Sequence, residues 1–269
     1  MPTISAAFHW GPDPVLVSFG PVTVRWYGLF FAAAFFVGYW VMAQIHKREG
    51  MELSSLDTLL TYMLIGTLIG ARLGHVVFYD PQYYLAHPLD IVKVWEGGLA
   101  SHGGAAGILI ALLLYTRKPG RPAYLWLLDR VAIPTALGGF FIRMGNFFNS
   151  EIVGTPTSGW WAVVFDRVDP IPRHPVQVYE AFAYLFIFVV LVLTYARPVR
   201  THGDGLLLGL FFTLVFSARF LLEFVKTPQA SYEAGFALTV GQLLSVPFIL
   251  VGIALIVRAQ AGAARHQDA

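Results

Sequence analysis

The chain is 269 residues long, 57% hydrophobic and only 13% charged, with a mean hydropathy of +0.63. Soluble domains carry about a quarter charged residues, so this balance makes lipid the expected solvent. The net charge of +2, without any basic run, excludes a nucleic-acid partner, and the absence of cysteine excludes disulfides, thiolate metal sites and a cysteine nucleophile.

The opening stretch MPTISAAFHWGPDPVLVSFG lacks the basic start and short apolar core of a cleaved signal peptide, so targeting is expected to rest on the first span. A helix needs about 20 mostly apolar residues to cross the hydrocarbon core. In chain order the candidates are 22–45, 58–79, 98–116, 124–147, 175–196, 205–225 and 237–257, seven in all. The first and last are clean, since 26–45 and 237–257 hold no charged side chain. The other five carry polar residues or glycine clusters, which predicts an all-α bundle with a polar interior. No polar linker interrupts the chain, so 1–269 is expected to be a single integral membrane domain.

Lysine and arginine in the connections predict orientation. One set of ends holds Lys47, Arg48, Arg117, Lys118, Arg121, Arg197, Arg200, Arg258 and Arg265; the other holds Lys93, Arg167, Arg173 and Lys226. Nine against four puts the C-terminus in the cytoplasm and, with seven spans, the N-terminus outside. The longer connections at 80–97 and 148–174 then face outward, and 149–174 forms a short extracytoplasmic head.

An ionisable side chain at membrane depth costs about 2.5–3.5 kcal/mol even on insertion scales, so such residues face a cavity or a partner. In RMGNFFNSEIVG, Arg143, Asn146, Asn149 and Glu151 fall at the outer end of the fourth span. His174, Gln177 and Glu180 open the fifth at the same level, and their spacing of three puts them on one face. Arg219 and Glu223, four apart in the sixth span, are spaced to pair. His102 lies in GGLASHGGAAG at the start of the third, with Gly103 and Gly104. Two readings are open for these clusters: they lock helices together, or they build a site. The glycines likewise suit close helix packing or an anion held on bare amides.

Other chemistries lack their motifs: there is no G-x-S-x-G, no H-E-x-x-H and no phosphate-binding glycine loop. Two arginines at bilayer depth favour an anionic ligand, because a guanidinium grips phosphate oxygens through parallel hydrogen bonds. In this environment the abundant anion is a phospholipid headgroup. A non-enzymatic anionic-lipid transporter is the alternative, although no inverted repeat supports it and the polar cluster lies near one face.

At these residues the sequence resembles the bacterial prolipoprotein diacylglyceryl transferases. RMGNFFNSEIVG matches the family signature, and WEGGLASHGG, HPVQVYE, ARFLLEF, LTVGQLLSVP, RWYG and GARLGHVVFY fit the same family from about residue 12 to 258. The resemblance implies a seven-helix protein of the bacterial inner membrane whose site faces the extracytoplasmic side. Its partners would be phosphatidylglycerol and a prolipoprotein signal peptide with a lipobox cysteine, and no metal or organic cofactor is implied. It makes Arg143 and Arg219 the arginines that hold the phospholipid, and His102 the proposed base, with Glu151 the other candidate. Tyr27, Asn146, Glu151 and Gly154 match further residues the family needs; Glu223 joins the substrate-binding set, and Gly103, Gly104, Asn149, His174, Gln177 and Glu180 support it. Two departures stand out: Arg25 replaces a histidine of some relatives and Val215 a tyrosine.

Overall fold

The computed structural model describes residues 8–20, 22–197, 203–227 and 238–267. Arg200, the first residues of the N-terminal stretch and the start of the 237–257 span lie outside them. The chain is mostly helical. Strands β1 (Phe8–Trp10), β2 (Val15–Phe19) and β3 (Val22–Arg25) precede α1 (Trp26–Arg48), α2 (Leu53–Phe78), the short α3 (Pro81–Ala86), α4 (Ser101–Thr116) and α5 (Tyr124–Phe148). Strands β4 (Val163–Phe165) and β5 (Pro172–Arg173) then lead to α6 (Val176–Ala196), α7 (Leu206–Leu222) and α8 (Val240–Gln267).

Six of these helices are long and apolar enough to cross a membrane: Trp26–Arg48, Leu53–Phe78, Tyr124–Phe148, Val176–Ala196, Leu206–Val225 and Val240–Gly262. The helix within the expected 98–116 span has only 16 residues, about 24 Å at 1.5 Å per residue. Its first expected turn is lost because Gly97 and Gly98 take positive φ of 92° and 67° and end in a loop rather than a helix.

Large apolar side chains cover much of the outside, while several polar ones lie inside beside the apolar core. Phe36, Trp40, Val77, Phe186 and Leu250 are exposed on their helices, whereas Arg72, Asp129, Asn146, Gln177 and Glu180 are buried. With hydrocarbon outside, apolar side chains gain nothing by turning inward, and polar ones must find partners inside.

Two compact units are distinguished, Met1–Val41 with Asp129–Ala269, and Met42–Leu128. In the first, the N-terminal part of α1 packs on α5, with Gly38 against Pro134 and Gly145 against the Tyr27 ring. Helices α7 and α8 approach through Gly209 and Gly252, where a Cβ on either would lie 2.8 Å from the other's carbonyl oxygen. Asp129 reaches across from α5 to accept the backbone N–H groups of Gly205 (2.7 Å) and Leu208 (2.8 Å), capping the start of α7. The end of α5 carries a small sheet of order β1–β4–β5. Trp10 stacks on Phe147 at 4.4 Å and donates its indole N–H to the Phe147 carbonyl (2.9 Å), while Phe165 closes the same apolar cluster. These strands were not foreseen from the span pattern; each is only two to five residues long.

In the second unit α2 and α4 pack face to face through glycine. A Cβ on Gly70 would lie 2.7 Å from Gly107 Cα, and one on Gly103 would lie 2.8 Å from Gly74 Cα. Only glycine permits backbones this close.

Candidate functional site

The stretch that ends α5 builds the site. Ser150 takes the left-handed conformation (φ 56°), its N–H bonds back to the Phe147 carbonyl, and the Glu151 N–H bonds to that of Asn146, both at 3.0 Å. This is the Schellman closure of a helix, made here with serine where glycine is usual. It folds Glu151 back over the last turn, so that its carboxylate accepts the side-chain amides of Asn146 (3.2 Å) and Asn149. Asn146 then presents its own oxygen to Arg143 NH1 (3.1 Å). Ile152, also left-handed at φ 57°, turns the chain again toward Gly154.

Helix α6 supplies the counter-charge. Its first turn places Gln177 to donate to the Glu151 carbonyl, and one turn later the Glu180 carboxylate meets Arg143 Nε at 2.8 Å. Glu180 is buried with only 2% of its side chain exposed, and Arg143 is partly buried at 13%. Tyr184 lies beside the same guanidinium, one further turn along, with its ring against Gly139. Tyr27 packs on Gly145 within electrostatic reach of both Arg143 and Glu151.

Gly154 is fixed by contact on several sides. Its N–H bonds the His174 carbonyl (3.0 Å), and its own carbonyl accepts Thr227 Oγ1 (2.9 Å) and Arg173 (3.2 Å). An added Cβ would meet His174 Cβ, the His174 carbonyl oxygen and Val176 Cγ2, all at 2.6 Å. Gly154 also bridges Lys226 in antiparallel pairing, which brings the end of α7 alongside the 153–155 segment. In the segment before α6, Arg173 also pairs with Asp169 at 2.6 Å and holds that carboxyl below its usual range.

Arg143, Asn146, Asn149, Glu151, Gln177 and Glu180 thus form one connected cluster. Two expected relations fail. His174 does not share the face of Gln177 and Glu180: Pro175 follows it, the helix opens only at Val176, and the His174 ring pairs with Tyr179 OH (3.2 Å). Among the described residues Arg219 and Glu223 form no ion pair. Helix α7 ends at Leu222 and Glu223 opens a tighter 3-10 turn, so the four-residue spacing no longer stacks the two side chains. Glu223 instead lies against the start of α8, where a Cβ on Gly241 would be 2.6 Å from its carboxylate, and faces Lys226 at 3.8 Å. Thr239 and Gln242 cap that helix start reciprocally, at 3.0 and 3.2 Å.

His102, Gly103 and Gly104 belong to the second unit. The His102 ring is exposed there, stacked on Tyr79 (5.8 Å) and edge-on to Phe78 (5.4 Å). Gly103 serves the contact with α2, whereas Gly104 has ordinary room, with Ala71 Cβ at 3.6 Å. Arg72, within the GARLGHVVFY stretch of α2, is buried and binds the carbonyls of Ile91 (2.8 Å), Gly97 (2.6 Å), Gly98 (3.2 Å) and Asp90, holding the segment that enters α4. Among the described residues no group of three or more His, Asp or Glu is placed to hold a metal ion. Lys226, expected in an outer connection, is a residue the spacing arguments missed. Its ammonium lies 3.6 Å from Glu180, and the only sequence signal was its spacing of three from Glu223.

A sequence model of the family described as "Prolipoprotein diacylglyceryl transferase" matches residues 14–258. Curated relatives carry the name phosphatidylglycerol--prolipoprotein diacylglyceryl transferase. One from Tolumonas auensis is 56% identical over 91% of this chain and 95% of its own length. One from Chloroherpeton thalassium is 50% identical over 94% of each chain, and one from Porphyromonas gingivalis 43% identical over 96% of each. With a family match across most of its length and relatives this similar end to end, the chain belongs to the prolipoprotein diacylglyceryl transferase family.

Proposed function

We propose that this protein transfers the diacylglyceryl group of phosphatidylglycerol to the lipobox cysteine of prolipoproteins, leaving a thioether and releasing glycerol 1-phosphate. The observation that carries the reading is the Arg143 cluster: a partly buried guanidinium, oriented by Glu180 and Asn146, in a chain whose relatives bear the transferase name. A transporter of anionic lipids is not favoured by that kinship.

In the proposed reaction the substrate thiol, with an ordinary pKa near 8.5, must first lose its proton, since the thiolate is the nucleophile. Its sulfur attacks the glycerol carbon that bears the phosphate. A C–S bond forms, the C–O bond to phosphate breaks, and the electron pair leaves with glycerol 1-phosphate. Arg143 and Arg219 stabilise the charge gathering on that leaving group, which a water-poor site makes effective. Asn146 and Glu151 keep Arg143 in orientation, and Tyr27, Gly154 and Glu223 complete the binding residues. Gly103, Gly104, Asn149, His174, Gln177 and Glu180 support them. His102 takes the thiol proton, imidazole being the side chain chemically suited to exchange protons near neutral pH, and Glu151 is the alternative base.

The same reading gives seven spans, with α4 as the short seventh, forming a single integral membrane domain. Its C-terminus is cytoplasmic, its N-terminus and the 149–174 head are extracytoplasmic, and it resides in the bacterial inner membrane. The signal peptide approaches as its own apolar helix while the lipid's acyl chains stay in the bilayer. The test is a mass shift on a lipobox peptide incubated with the protein and phosphatidylglycerol. Arg143→Ala and Arg219→Ala should each lose transfer, and near-normal turnover by both would sink the phosphate clamp. His102→Asn separates the two bases: an unchanged pH profile would remove His102 from proton transfer.

A further inference from the structure

The Glu180 carboxylate is shared. Its Oε2 meets Arg143 Nε at 2.8 Å, while its Oε1 faces the Lys226 ammonium at 3.6 Å. Lys226 is itself buried, with 7% of its side chain exposed, and is held in place through the backbone. Its pairing with Gly154 continues on both sides, where Thr155 N–H bonds the Val225 carbonyl (2.9 Å) and Thr227 N–H bonds that of Val153 (3.3 Å). This rail fixes the direction of the lysine side chain independently of its ion pairs.

A carboxylate alone with an arginine tends to grip it with both oxygens along one edge of the fork. Here one oxygen is turned aside to a second cation, so Glu180 orients Arg143 without saturating it. The ion pair with Glu180 and the hydrogen bonds to Asn146 and Tyr184 leave further donors among the five of a guanidinium.

We infer that Lys226 is a positioning residue for the phosphate clamp, drawing one oxygen of Glu180 off Arg143 so that the guanidinium keeps donors and net charge for an incoming lipid phosphate. The inference rests on the transferase reading. Its consequence is specific: loss of the Lys226 charge lets Glu180 close on Arg143 and compete with the substrate. The defect therefore belongs in the KM for phosphatidylglycerol.

Charge on Lys226 is also sensitive to pH. Burial pushes its ammonium down from the ordinary 10.5; Glu180 and Glu223 oppose that shift, and the positive charges of Arg143 and Arg219 add to it. With a folded-state pKa below the ordinary value, the ammonium loses its proton at lower pH than a free lysine does. KM should then rise with pH in the wild type, and substituting arginine should move that rise upward.

The experiment measures steady-state lipidation of a lipobox peptide against phosphatidylglycerol in detergent micelles. Lys226→Met is expected to raise KM for the lipid between about ten- and a hundredfold, the scale of one charge-assisted hydrogen bond. Its kcat should change much less. Lys226→Arg should restore KM and displace its alkaline rise. In a Glu180→Gln background Lys226→Met should add little to KM, because its target is gone. Should Lys226→Met not fold, the alkaline rise in wild type against Lys226→Arg decides the matter alone. An unchanged KM in Lys226→Met, or the same alkaline profile in wild type and Lys226→Arg, overturns the inference while leaving the transferase reading intact. Absence of any transfer by the wild type overturns both.

Discussion

Replacing Arg143 with lysine keeps the charge and removes the fork. The guanidinium uses separate nitrogens for two fixed partners, Nε toward Glu180 at 2.8 Å and NH1 toward Asn146 at 3.1 Å. A lysine ammonium is a single point on a longer, more mobile stem and cannot hold both while turning a flat edge to phosphate. At least one charge-assisted hydrogen bond is then lost, about 1.5–3 kcal/mol, or roughly ten- to a hundredfold in kcat/KM. Stability should respond differently. Lysine still offsets Glu180, so Arg143→Lys should unfold near the wild-type temperature. Arg143→Met breaks a buried pair and should lose about 3–5 kcal/mol, visible as a lower melting temperature. The assay pairs peptide lipidation with thermal unfolding in the same detergent. If Arg143→Lys kept full kcat/KM, only the charge would matter, and the argument from guanidinium orientation through Asn146 and Glu151 would be refuted.

Three further outcomes follow from the geometry. Gly103→Ala should separate α2 from α4 and reduce stability by about 1–3 kcal/mol, the usual range for overpacking; Gly104→Ala, with its nearest neighbour at 3.6 Å, should be tolerated, and equal melting temperatures for both would refute the packing role. Asp129→Ala removes the cap on α7 and should cost about 1–2 kcal/mol, read as faster amide exchange at Gly205 and Leu208, whose N–H groups it now binds. The Asp169–Arg173 pair lowers the Asp169 pKa from 3.8, so its contribution is present above that value and is lost as pH falls through the depressed one; the protection of the Ile171 amide relative to its intrinsic exchange rate, which its bond to Asp169 provides, should fall in that acid window, and this fall should be absent in Asp169→Asn.

How much of this was legible beforehand depends on the range of the interaction. Long apolar runs announce their helices because hydrocarbon demands length, and the helix starts at Trp26, Tyr124 and Val176 fall within a few residues of expectation. Arg143, Asn146, Glu151, Gln177 and Glu180 were legible for the complementary reason, since polar side chains in such a setting need partners and helical spacing narrows which ones they find. The failures occur where the helix stops. Spacing arguments assumed that α6 extended back to His174 and α7 forward to Glu223; a proline and a 3-10 turn ended both helices sooner. The contacts of Lys226 and Arg72 were missed because their partners are distant in sequence: Glu180 is contributed by another helix, and four backbone carbonyls by the segment that enters α4. No periodicity reports a contact between a side chain and someone else's backbone.

The turn from Asn149 to Gly154 explains why the polar residues could not simply be placed on ideal helices. Two non-glycine residues there are left-handed, one of them the β-branched Ile152, and each such conformation costs about 1–3 kcal/mol. An unstrained helix end would carry Glu151 onward along the axis, away from Asn146. The reversed path instead brings its carboxylate onto both asparagine amides and its carbonyl onto Gln177. It then delivers Gly154 to the strand pairing that orients Lys226. A cluster with fixed donors before substrate arrives has less reorganisation to do when charge develops. The strain and the orientation of Arg143 are therefore two aspects of one backbone path, and relieving the first should loosen the second.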